Sequence, residues 1–206
     1  MKKVIVVFAS GAGSNFKNIV EKIKDHKINV DVKLLVSNNS NCQAVSFARK
    51  NKIETFIYNS KRYPNDFNQD ILLEKVNSFN VDLIVLAGYM KKISENIVKD
   101  YKKQILNIHP SLLPMYGGKG FYGMMVHEAV CANNDNKTGA TVHFVDEGYD
   151  TGPILMQKEI ILSSNENPSS IAEKVLKIEH EIFFKSIRLF CDNKIFWNKN
   201  KPYIKE

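Results

Sequence analysis

A doubly wound α/β fold around a mostly parallel sheet is predicted by three features of this 206-residue sequence. Short β-branched apolar runs alternate with segments of helical spacing. The joints between them carry Gly, Pro, Asn and Ser. No apolar run approaches the ~18–20 residues that a membrane span requires. With 44% hydrophobic and 25% charged residues, the composition is that of a globular chain and excludes disordered, collagen-like and repeat classes.

The elements follow in order. Val4 to Ala9 is a nearly continuous apolar run, read as a buried first strand; it is too short for a secretory leader and passes directly into Ser10-Gly11-Ala12-Gly13-Ser14-Asn15. Phe16, Ile19, Val20 and Ile23 give helical spacing over Ser14 to His26, with Ser14 the expected cap. Val30 to Val36 and Glu54 to Tyr58 read as strands on either side of a helix from Cys42 to Lys50. Asn65 to Phe79 repeats apolar residues at Phe67, Ile71, Leu72, Val76 and Phe79 and is predicted helical, followed by a strand from Asp82 to Ala87. Gln104 to Ile108 gives one more strand, running into His109-Pro110 and a Gly-rich loop through Gly123. After a helix from Tyr122 to Ala132, Ala140 to Val145 and Pro153 to Leu162 are close enough in sequence to pair antiparallel. Pro168 to Cys191 is a long closing helix, with Ser169 or Ser170 as its cap. The pattern implies one domain over 1–206, with halves at 1–105 and 106–192 and a surface tail at 193–206.

Charge narrows the function classes. The formal charge is +7, from 29 Lys and Arg against 22 Asp and Glu, and only Arg49, Arg62 and Arg188 are arginines. The lysines are scattered, with no basic block interleaved with aromatics, so neither a nucleic-acid nor a membrane partner is expected; the field favours small anionic ligands. Cys42, Cys131 and Cys191 are odd in number and widely spaced, which suits a reducing, cytoplasmic setting. No HExxH, CxxC or clustered His occurs, and no metal is expected.

Three segments carry chemistry. The glycines of Ser10 to Asn15, between a strand and a helix, let backbone amides approach a phosphate at the helix N-terminus. Phe16 and the lack of a Walker lysine exclude the two common nucleotide loops. In Asn107-Ile108-His109-Pro110-Ser111, residues 107 and 109 point to one side of a strand, so an amide and an imidazole can together face a developing oxyanion. Pro110 is expected to keep both at the strand's rim. The loop Asp146 to Gly152 supplies acids, of which Asp150 is the expected partner of His109, raising its pKa by favouring the charged ring. Of the other histidines, His26 is expected at the surface, His127 and His180 on helices, and His143 in a satisfied core role.

Together with Leu86-Ala87-Gly88-Tyr89-Met90, the run Leu106 to Pro114 (LNIHPSLLP), Thr138 to Val145 (TGATVHFV) and Asp150-Thr151-Gly152-Pro153, these segments resemble the folate-dependent formyltransferase family over nearly the whole chain, in its glycinamide-ribonucleotide branch. The resemblance implies a Rossmann-like formyltransferase fold, with a phosphate-binding half at 1–105 and a catalytic and folate-binding half at 106–192. It also implies transfer of the formyl group of 10-formyltetrahydrofolate to the amine of 5-phosphoribosylglycinamide, a step of de novo purine biosynthesis. Carried onto matching positions, it makes Asn107, His109 and Asp150 catalytic, with proton movement through His109 or an ordered water. Gly13, Ser14, Asn15 and Glu179 would then meet the ribonucleotide, and Met90, Lys91, Lys92, Ile93, Asn107 and Arg62 the folate, helped by backbone of the 144–150 loop.

This sequence departs from the family at Pro64, where an arginine is usual; Lys61 or Arg62 can substitute. The loop after Pro114 is longer and lacks a family histidine, a place His127 could take. A formyltetrahydrofolate hydrolase is the alternative reading, one that normally adds an N-terminal regulatory domain. A methionyl-tRNA formyltransferase normally needs an RNA-binding domain beyond Cys191, and a non-catalytic nucleotide-binding module has no use for the Asn107, His109 and Asp150 set. Small-molecule substrates and a monomer or homodimer are expected.

Overall fold

The computed structural model describes residues 2–205. Nine strands and six helices occur among them. Seven strands form a sheet of order β3-β2-β1-β4-β5-β6-β7, and the remaining two pair by themselves. These are β1 (Lys3–Phe8), β2 (Val30–Ser37), β3 (Glu54–Ile57), β4 (Leu83–Leu86), β5 (Ile105–His109), β6 (Lys137–Phe144), β7 (Ile154–Ile161), β8 (Ile195–Asn198) and β9 (Lys201–Ile204). The helices are α1 (Ser14–Asp25), α2 (Gln43–Lys50), α3 (Asp70–Asn77), α4 (Glu95–Asp100), α5 (Met124–Ala132) and α6 (Pro168–Cys191). The chain divides into two compact units, Met1–Leu106 and Asn107–Glu206.

In the first unit β1 pairs in parallel with both β2 and β4, and β2 with β3. Strands flanked on both sides read as continuous apolar runs because helices cover both faces; Ile5 to Ala9, Leu34 to Val36 and Leu83 to Val85 are buried accordingly. Phe16 and Ile19 of α1 are wholly buried, and each such side chain contributes about 1.5–3 kcal/mol on burial. The expected helix over 65–79 shrinks to α3, because Asp66 accepts hydrogen bonds from the amides of Asp70 and Ile71 and so starts the helix four residues later. The six-residue α4 was not expected; its signal is Ser94, whose hydroxyl accepts from the amide of Ile97.

In the second unit β6 and β7 pair antiparallel, with a register shift between Val142 and His143. Helix α6 buries Ile171, Val175, Ile178 and Ile182 along one stripe. It spans the expected residues, but its cap is Asn167, in a reciprocal capping box with Ser170. The tail expected at the surface has only exposed or half-buried residues among those described, and it carries a hairpin of β8 and β9 in which Trp197 meets Phe144, ring centroids 4.8 Å apart. Among the described residues, no helix is long and apolar enough to cross a membrane.

Candidate active site

The second unit gathers an amide, two imidazoles and a carboxylate. Asn107 and His109 lie two residues apart near the end of β5 and so share a face. His143 comes from the end of β6, at the register shift, and Asp150 from the loop that follows, where it adopts a left-handed backbone (φ 56°). Non-glycine residues in that region are held there by their surroundings. The surrounding contact here is the amide of Gly118, which donates to Asp150 Oδ2 at 3.0 Å.

Hydrogen bonds assign the tautomers. His143 Nδ1 lies 2.9 Å from the carbonyl oxygen of Phe144, so Nδ1 carries the proton. Its Nε2 then accepts from Asn107 Nδ2 at 3.0 Å. That bond points the amide's N–H groups toward the carboxylate, with Asp150 Oδ1 at 3.5 Å. His109 Nε2 lies 2.7 Å from the carbonyl oxygen of Tyr116 and donates to it. Its Nδ1 faces Asp150 Oδ2 at 3.6 Å.

His109 was expected at a rim with a raised pKa; it is instead buried, 4% exposed, with its pKa pushed down. Burial is the largest influence and disfavours the charged ring, while Asp150 pushes upward as anticipated but does not prevail. Asp150 is itself buried, which raises its pKa, yet its polar neighbours, among them His109 and the Gly118 amide, outweigh burial and hold it below the ordinary carboxylate value. The resting pair is therefore a carboxylate beside a neutral imidazole, ready to accept a proton at Nδ1.

The loop that holds His109 is itself held by polar groups, of which Ser111 and Thr141 are buried. Thr141 Oγ1 donates to the carbonyl of Ser111 at 2.6 Å and accepts from the Leu113 amide at 3.1 Å. Gln157 Nε2 donates to the Leu113 carbonyl and to Thr141 Oγ1, at 2.8 and 2.9 Å. Ser111 Oγ donates to the Met115 carbonyl, next to Tyr116. Gly152 has no alternative: a Cβ there would overlap the Phe144 carbonyl oxygen, the atom on which His143 rests.

His143, expected in a satisfied core role, is indeed buried and bonded, but its partners are Asn107 and the neighbourhood of Asp150. Only the alternation of β6 pointed to it. His127 on α5 is 5% exposed, its Nδ1 has no hydrogen-bond partner among the described residues, and burial, then His109, push its pKa down. Glu179 is half-buried on α6.

In the first unit, Gly13 rather than Ser14 is the N-cap of α1, and Ser14 is the helix's first residue. Gly13 is left-handed (φ 71°), and a Cβ there would come within 2.7 Å of the Ala44 Cβ. The first amides of α1 have no side-chain cap, and no acid sits in the first turn, which suits an anion. Asn15 is buried. Met90, Lys91 and Lys92 are exposed, Ile93 is buried, and Lys61 and Arg62 are both exposed.

A mostly parallel α/β sheet bearing this motif set is the fold of the formyl transferases, whose family model matches residues 2–187; the chain belongs to that family. It is 40% identical to the chloroplastic phosphoribosylglycinamide formyltransferase of Vigna unguiculata, over 97% of this chain and 64% of that one. The protein of the same name from Bacillus subtilis is 38% identical over 88% of this chain and 90% of that one. The chain thus spans just under two thirds of the cowpea relative's length. Among solved structures, glycinamide ribonucleotide transformylase 1 of Symbiobacterium toebii superposes with a TM-score of 0.91 at 28% identity, covering 100% of this chain and 95% of that one. A formyltetrahydrofolate deformylase of Pseudomonas syringae shares the fold, with a TM-score of 0.88 at 20% identity, over 100% of this chain and 67% of that one.

Proposed function

We propose that this chain transfers the formyl group of 10-formyltetrahydrofolate to the amine of 5-phosphoribosylglycinamide, giving formylglycinamide ribonucleotide and tetrahydrofolate for purine biosynthesis. The observation that carries the reading is the convergence of Asn107, His109 and Asp150, with the amide nitrogen of Asn107 and Nδ1 of His109 both facing the Asp150 carboxylate. Relatives named for this reaction support it.

The substrate amine attacks the formyl carbon and the carbonyl π electrons move onto oxygen. Asn107 donates to that oxyanion, and His109, taking up the proton that the attacking amine releases, stabilises the tetrahedral intermediate. Asp150 supplies the charge that offsets the cost of protonating a buried ring. Collapse of the intermediate breaks the bond from the formyl carbon to the folate nitrogen, and the proton lost by the amine passes to that nitrogen through His109 or a water. His143 keeps Asn107 oriented as donor.

On this reading Gly13, Ser14 and Asn15 take the ribonucleotide phosphate and Glu179 contacts the same substrate. Met90, Lys91, Lys92 and Ile93 line the folate site, with Arg62 or Lys61 in place of the family arginine. Both partners are small molecules, and the widely spaced cysteines support a cytoplasmic setting. The deciding experiment follows 10-formyltetrahydrofolate consumption with and without the ribonucleotide. Acceptor-dependent turnover is expected; equal turnover without acceptor would mean a hydrolase.

A further inference from the structure

Gln69 occupies the N-cap position of α3 yet makes no capping bond. Asp66 takes that duty, accepting from the amides of Asp70 at 2.8 Å and Ile71 at 3.2 Å, and is itself held by the Tyr58 hydroxyl at 2.8 Å. The Gln69 amide is therefore available, and both its ends are used on one short segment. Its Nε2 donates to the carbonyl of Lys92, and its Oε1 accepts from the amide of Ser94, each at 2.9 Å. The two bonds bracket buried Ile93 the way a neighbouring strand would. Next to this clamp, Asn96 Nδ2 donates to Asp70 Oδ1 at 3.1 Å. At the segment's start, the Met90 amide donates to Ser10 Oγ at 2.8 Å. Gln69 achieves its placement in a left-handed conformation (φ 60°) that a glutamine adopts at a cost.

We propose that Gln69 is a positioning residue for the folate site: a two-point clamp on Lys92 and Ser94 that presets the surface from Met90 to Ile93 before the pteridine-bearing substrate arrives. The inference rests on the reading that this segment lines the folate site. A preset segment spares the ligand the entropy of ordering it, so the clamp acts on affinity and leaves the chemistry alone.

Two variants test it. Gln69→Gly removes both bonds while relieving the left-handed strain, so the fold survives; Gln69→Glu keeps the acceptor for Ser94 and loses the donor to Lys92. Expected for Gln69→Gly is a rise of about tenfold in KM for 10-formyltetrahydrofolate, with kcat and the ribonucleotide KM within about twofold, and an intermediate rise for Gln69→Glu. Amide exchange at Ser94 in the ligand-free protein should quicken in Gln69→Gly. An unchanged folate KM, or equal rises for both substrates, overturns the proposal. Should the wild type show no ribonucleotide-dependent turnover, the functional reading falls, and calorimetric titration of 10-formyltetrahydrofolate still decides the clamp. Binding about tenfold weaker in Gln69→Gly then supports it, and equal binding overturns it.

Discussion

His109 and Tyr116 are joined by a 2.7 Å hydrogen bond from the imidazole Nε2–H to a backbone carbonyl. Tyr116 presents that carbonyl from a left-handed conformation (φ 53°). The bond fixes which ring nitrogen is free, and the free one, Nδ1, faces Asp150. The site's proton bookkeeping is therefore written in the backbone of the loop after Pro114 as much as in its side chains.

Asp150→Asn keeps the shape of the cluster and removes the charge that pushes the His109 pKa upward. The histidine should then titrate lower still, by NMR, and turnover should fall by about 10²–10⁴-fold. A His109 resonance that does not move would detach Asp150 from it.

The pair Ser14→Ala and Asn15→Ala should weaken ribonucleotide binding by about tenfold or more, while folate affinity changes by less than about twofold. Isothermal titration of each substrate separates the two. The reverse pattern would move the phosphate away from the start of α1.

Acidification should destabilise the protein through its buried imidazoles. His109 and His127 have pKa values pushed down in the fold, so below the unfolded value of about 6.5 the unfolded chain binds protons that the native state does not. Stability is full above that pH and declines as pH falls toward the folded values. Asp150, depressed in the fold, adds its own loss only lower, from about pH 4 downward. Thermal melts from pH 8 to 5 should show the midpoint falling below about 6.5, and His127→Leu should flatten that part of the curve.

Thr141→Val removes the hydroxyl shared by Ser111, Leu113 and Gln157 and leaves the Leu113 amide and the Ser111 carbonyl without that buried partner. A loss of about 1–3 kcal/mol in urea unfolding at unchanged m is expected. A neutral result would mean that the network is replaced by other contacts.

Much of this was legible in the chain. The alternation of apolar runs and helical spacing gave the doubly wound order because buried parallel strands and amphipathic helices each leave a periodic trace, and α6 was readable from Pro168 to its last residue. Asn107 and His109 were readable as a pair because strand geometry alone puts i and i+2 on one face. What escaped depends on distance in sequence. Asp66 shortens α3 through its own carboxylate, and Phe144 meets Trp197 of the tail's hairpin from more than fifty residues away. His143 gains its role from Asn107 on another strand. The His109 pKa also misled: an acid partner is visible in a motif, whereas the depth of burial that outweighs it is a property of packing.

The close approach of Gly152 to Phe144 makes one carbonyl a tautomer lock. Any side chain at 152 would push that oxygen off its place, and the proton it anchors on His143 Nδ1 would be free to migrate to Nε2. Asn107 would then meet a donor where it now meets a lone pair, and its amide would have to turn over, offering oxygen where the proposed reaction needs N–H. A single methyl group, added without touching any of the three proposed catalytic residues, would thus invert the polarity of the surface they present.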